Sequence, residues 1–151
     1  FSYHGLPVRH LDKSYDNNAV CADHDCENEI AEESKYCYKA ACYETTRLLV
    51  EKLKLPEGKY SSSFQSRLGR DPWIQPYSDY VLKDLAKAGK KKVLVFSPAF
   101  VADCLETIVE IGMEYNEDFI ENGGETIQLV ESLNTNPKWV SGLKSILNDY
   151  V

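Results

Sequence analysis

The spacing of hydrophobic positions changes several times along the chain, and each change predicts an element. An apolar, β-branched run over 93–96 reads as a strand buried on both faces. A Ser-Pro-Ala turn follows, and then roughly five turns of helix. At about 100° per residue, Val101, Leu105, Ile108, Gly112, Tyr115 and Phe119 share one helical face. The same spacing gathers Asp103, Glu106, Glu110, Glu114 and Glu117 inside an arc of about 80°.

Around this centre the pattern alternates. A strand end over 1–4 runs into a Gly5-Leu6-Pro7 turn, and an acidic, cysteine-bearing insert without periodicity occupies 12–37. A helix over 38–53 is stopped by Pro56 and Gly58, and a short strand over 59–65 leads into a loop through Trp73. A helix over 77–88 is capped by Gly89. Past the Gly123-Gly124 break come a strand over 126–130 and a last helix ending at Tyr150. Four strands alternating with four helices predict a three-layer α/β/α domain on a four-stranded parallel sheet, Rossmann-like in class.

The 151 residues suffice for one sizeable core and fit a single domain. A net charge of −7 leaves no basic stripe for phosphates, which argues against a nucleic-acid partner. No apolar run approaches membrane length and no signal peptide is present, so the expected location is cytoplasmic. The chain opens at Phe1, without Met and inside a strand end, and is therefore expected to be a piece of a longer protein.

Charge patterning then singles out the long helix. Carboxylates on a helix ordinarily form a solvated face. Acids four residues apart repel, however, and stable exposed faces interleave them with bases. No Lys, Arg or His occurs over 93–137. Uncompensated carboxylates at the carboxyl end of a buried strand suggest a cation site, and that edge is where ligands bind in open parallel sheets.

Other candidates are weaker one by one. His4 is a strand-end histidine, either a satisfied structural residue or a group facing the ligand crevice. Trp73 is either a lid on the core or a stacking surface for a flat ligand. Gln65, Ser66 and Arg67 offer donors for an anionic substrate group. Cys21, Cys26, Cys37 and Cys42, spaced C-x4-C-x10-C-x4-C beside His24, suggest zinc or iron–sulfur ligation, with disulfides and unligated thiols as the other readings. Cys104 stands apart, next to Asp103.

Four blocks then carry a resemblance. Phe1-Ser2-Tyr3-His4-Gly5-Leu6-Pro7, the segment from Phe64 to Trp73, the segment from Pro98 to Thr107, and Glu131-Ser132-Leu133-Asn134 occur in this order and span the chain. Together they resemble the carboxyl-terminal half of ferrochelatase. The family's amino-terminal half, a similar α/β domain forming much of the porphyrin cleft, is then the expected partner from the same protein.

The resemblance implies insertion of Fe²⁺ into protoporphyrin IX to give protoheme, with release of two protons. By it, His4 matches the active-site histidine and Glu106 the carboxylate across the cleft. Glu110 and Glu114 would extend a cation conduit. Trp73 and Phe100 would hold the macrocycle, with Ser66 and Asp103 also at the substrate. Cys104 departs from the histidine that some members have there. Some members carry a [2Fe–2S] cluster, while the metal of this insert is inferred from its thiol count rather than carried over from the family. A chelatase for another divalent metal and tetrapyrrole, or a non-catalytic metal- or tetrapyrrole-binding module, are the alternatives.

Overall fold

A computed structural model describes residues 1–15 and 25–150 of the chain. Two short parallel ladders form its framework. Strand β1 (Ser2–His4) pairs with β2 (Ser63–Gln65), setting Tyr3 against Phe64 and His4 against Gln65. Strand β3 (Lys92–Val95) pairs with β4 (Thr126–Leu129), setting Val95 against Leu129. The expected four-stranded sheet is thus divided into two two-stranded sheets. A backbone bond of 2.9 Å from Ser2 N–H to Phe96 O, one residue past the end of β3, crosses between them.

Each ladder has its own core. Tyr3 and Phe64 pack with Leu11, Ile74, Ala40, Tyr43 and the buried Cys26, Cys37 and Cys42. These draw on α1 (Val8–Asp12), an element the sequence pattern does not predict between the Pro7 turn and the insert, and on α2 (Tyr38–Leu53), which matches its expected bounds. Val95 and Ile127 pack with Leu82 and Ala86 of α3 (Ser78–Lys87), and with Ile111 and Phe119. Gly124 lies flat against Phe119: a β-carbon there would sit 2.2 Å from the ring, so only glycine fits the approach.

Two expectations fail here. Strand β3 is not covered on both faces, because Leu94 remains 64% exposed. The long helix is also not a regular α-helix. Residues 101–104 are irregular, a π-helix runs over Glu106–Tyr115, and only Asn116–Glu121 (α4) is α-helical. The i→i+5 bonding of a π-helix widens the turn, so residues four apart come close to stacking. The buried column is therefore Thr107, Ile111 and Phe119, while Leu105 and Ile108 point to solvent. Helix α5 (Pro137–Asn148), capped by Asn136 accepting from Lys138 N–H, buries none of its residues.

Candidate active site

The carboxyl ends of β1, β2 and β3 bring the predicted residues towards one another. His4 closes β1, half-buried, with Nδ1 2.6 Å from its neighbour Gly5 O. Tyr38 donates its hydroxyl to His4 O at 2.8 Å, tying the strand end to α2. The imidazole lies between two aromatic rings. Trp73 is centred 6.4 Å away and Phe100 6.1 Å away, both tilted by about 45° (46° and 45°). Trp73 is held by its indole N–H donating to Leu68 O, and Phe100 by a turn from its N–H to Ser97 O.

Gly5 makes this arrangement possible. Its N–H donates to Gln65 O at 2.8 Å. A β-carbon on Gly5 would lie 2.9 Å from that carbonyl and 3.1 Å from the Trp73 ring. Any larger residue pushes the aromatic wall away from His4.

Glu106, the first residue of the π-helix, lies within electrostatic reach of His4. Its carboxyl is held below the usual range, chiefly by a hydrogen bond from its own N–H, then by the Cys104 thiol, with the His4 imidazole adding a favourable charge. An imidazole beside two aromatic rings, with an ionised carboxylate within electrostatic reach, is a suitable pair for a divalent transition metal and for proton transfer.

The remaining carboxylates diverge from the expected continuous row. Glu110 is fully occupied. Oε1 accepts from Ser66 N–H at 2.7 Å and from the Tyr115 hydroxyl at 2.6 Å, and Oε2 accepts from Gln65 Nε2 at 3.1 Å and from the Ser66 hydroxyl. Ser66 adopts φ +65°, an uncommon conformation for a non-glycine residue that belongs with its double donation to Glu110. The donors that sequence assigned to an anionic substrate group are thus spent within the chain. Arg67 likewise makes a two-pronged pair with Asp79, at 2.6 and 2.8 Å, and lies over the rings of Tyr77 and Tyr80.

Glu114 is exposed and lines a polar cleft of about 220 Å³ with Asp79, Asp118, Glu110, Arg67 and Tyr115. Positive charge reaches this acidic helix from other segments, through Arg67 and through Lys83, which pairs with Asp118 at 2.9 Å. The absence of bases along 93–137 is therefore not an absence of them in space.

Asp103 serves the loops. It exchanges hydrogen bonds with Asn134, N–H to Oδ1 at 2.9 Å and Nδ2 to Oδ2 at 2.7 Å, and accepts from Ser132 N–H at 3.3 Å. These bonds, Asn134 first and Ser132 next, hold its carboxyl below the usual range. Sequence reasoning passed over Asn134, which also carries φ +45°, as it did Tyr115 in its polar role. An Asn closing a turn was the available signal, since Asn tolerates the left-handed region.

In the insert, Cys26, Cys37 and Cys42 are all buried in the β1–β2 core. Burial raises the Cys26 thiol and pushes Cys42 up to about 12, with Cys37 adding to both shifts. Cys21 lies outside the described residues. Among the described residues no group of three His, Cys, Asp or Glu is placed to hold a metal ion. The described thiols gather together without forming a complete ligand set. No helix among the described residues is long and apolar enough to cross a membrane.

The ferrochelatase family model matches residues 1–150. A ferrochelatase of Pseudomonas putida KT2440 is 49% identical over 142 residues, covering 92% of this chain and 42% of the relative. One from Coxiella burnetii Dugway 5J108-111 is 47% identical over 143 residues, covering 95% of this chain and 40% of the relative. One from Pseudomonas fluorescens SBW25 is 50% identical over 147 residues, covering 96% and 43%. The chain thus spans well under half the length of these curated relatives, yet nearly all of it is matched. It belongs to the ferrochelatase family.

Proposed function

We propose that this chain contributes one wall of a ferrochelatase cleft, in which the full-length protein inserts Fe²⁺ into protoporphyrin IX to form protoheme for heme biosynthesis. The observation that carries the reading is His4, close to the rings of Trp73 and Phe100 and within electrostatic reach of a Glu106 carboxylate kept ionised. Metallation takes Fe²⁺ and a porphyrin bearing two pyrrole N–H groups to protoheme and two protons. The step therefore needs a base over the ring and a ligand that delivers the metal. His4 and Glu106 divide these tasks. Trp73 and Phe100 offer apolar faces to the macrocycle, and the exposed Glu114 lies on the approach of the cation.

The finer fold follows the same reading. The Ser2–Phe96 bond supports one parallel sheet in the order β2-β1-β3-β4, a chelatase-like layer over 1–151 with the insert at 12–37. Exposed Leu94 and the uncovered α5 are apolar surface for the rest of the full-length protein, with its amino-terminal domain as the partner lobe. Three converging thiols support Cys21, Cys26, Cys37 and Cys42 as ligands of a [2Fe–2S] cluster or Zn²⁺, which would fasten the insert to the core. The cytoplasm is the proposed compartment. The deciding experiment is porphyrin metallation by the full-length protein, followed by absorbance and repeated with Fe²⁺, Co²⁺ and Zn²⁺. Tetrapyrrole binding without turnover would instead make it a binding module.

A further inference from the structure

The carboxyl end of β2 holds one fully buried amide, Gln65, and every polar atom of its side chain is engaged. Nε2 donates to Glu106 O at 2.8 Å and to Glu110 Oε2 at 3.1 Å, while Oε1 accepts from the Ser2 hydroxyl at 2.7 Å. The orientation of the amide is dictated by its partners, because a carbonyl and a carboxylate can only accept. Behind Ser2 the chain of hydroxyls continues to Ser78 at 2.9 Å and from Ser78 to Ser63 at 2.9 Å. Ser2, Ser63 and Ser78 are all buried. A line of close polar contacts thus runs from β2 and the start of α3, through β1, into the first turn of the π-helix.

We propose that Gln65 is a positioning residue for Glu106, fixing where the π-helix begins and hence where that carboxylate stands relative to His4. Three features of the site require such a device. The π-helix is a poor hydrogen-bond geometry that usually needs outside support. Glu106 caps no strand and reaches the cleft only through its helix. The preceding residues, 101–104, are irregular, so no regular element leads into it. Gln65 grips the helix at two points one turn apart, a main-chain carbonyl and a side-chain carboxylate. Two neighbours of Gln65 assist: His4 is its register partner across the ladder, and Ser66, next in the chain, makes two further bonds to Glu110. The same amide therefore references the imidazole strand and the carboxylate helix to each other.

The inference rests on the metallation reading, and its test separates the two. Gln65→Leu is compared with native full-length protein in steady-state metallation and in hydrogen exchange. The expected result is a fall in kcat of about 100-fold, the scale of a 1 Å misplacement, with KM for porphyrin changed less than about twofold. Amides over 106–115 should exchange faster, while those of β3 and β4 keep their protection. Unchanged kcat in a folded variant, or a raised KM with unchanged kcat, would overturn the proposal, the second because Gln65 would then be binding substrate. If the native protein does not metallate, the exchange result still decides whether Gln65 sets the π-helix. Should Gln65→Leu fail to fold, Ser2→Ala frees the amide oxygen within an intact strand. It should lower kcat about threefold at constant KM, and no change in kcat would overturn the proposal.

Discussion

Asp103 and Asn134 clasp each other through two hydrogen bonds across 31 residues, joining the loop after β3 to the loop after β4. The contact makes acid stability testable. Asp103 titrates below its ordinary 3.8 because Asn134 and Ser132 favour the ionised form. A depressed carboxyl contributes stability that is fully present above the unfolded value and is lost as pH falls through the folded one. Thermal unfolding of Asp103→Asn should therefore lie below native at pH 7, and the gap should close as pH drops below about 4. A gap independent of pH would show that the clasp works by shape rather than charge.

Removal of the imidazole should separate chemistry from folding. His4 is half-buried and its one ring hydrogen-bond contact is to its neighbour's carbonyl. In the full-length protein, His4→Ala should abolish metallation and move the unfolding midpoint by no more than a few degrees. Activity lost only in proportion to unfolded protein would return His4 to a structural role.

The three glutamates should part company. Glu106→Gln should nearly eliminate turnover, since it removes a charge and a proton acceptor together. Glu110→Gln should also destabilise, by about 1–3 kcal/mol, because an amide cannot accept from all four donors around it. Exposed Glu114→Gln should leave stability alone and raise the apparent KM for Fe²⁺. Equal behaviour of all three in both assays would dismiss the distinction.

For the insert, metal content and thiol reactivity are read together. Protein purified without oxygen should carry iron and sulfide, or zinc, lost together in Cys21→Ser and Cys26→Ser. Metal-stripped protein alkylated near pH 8 should label first at Cys104, because burial keeps Cys26 and Cys42 protonated. Metal-free preparations in which Cys21, Cys26, Cys37 and Cys42 all titrate alongside Cys104 under reducing conditions would rule out the ligand set.

The 151-residue chain by itself should fold, since both cores are built from its own residues. Its metallation rate should not exceed the uncatalysed one, because a macrocycle gripped from one side is not held for metal insertion. Measurable turnover by this chain would show that one lobe suffices.

Local rules were enough for much of this. Helix α2 could be placed by its period and the Pro56 and Gly58 stops, and the four strands by apolar runs between turn residues. His4 and Trp73 stood out by position, at a strand end and in a loop beyond one, whereas Phe100, and Glu106 from among the acidic row, were singled out only through the resemblance to the family. The π-helix was not legible: its wider turn depends on partners from β2, and a 100° period applied to the same residues turned Leu105 and Ile108 inward. Glu110 read as a free carboxylate because its neighbours in sequence are apolar or acidic, whereas its donors come from positions 44 and 45 residues earlier and from Tyr115. Sequence determined which residues carry charge, ring or thiol and which edge of the sheet they occupy. Only the tertiary structure decided which carboxylate stays open to a ligand, because hydrogen-bond satisfaction is a property of what the fold brings within 3 Å.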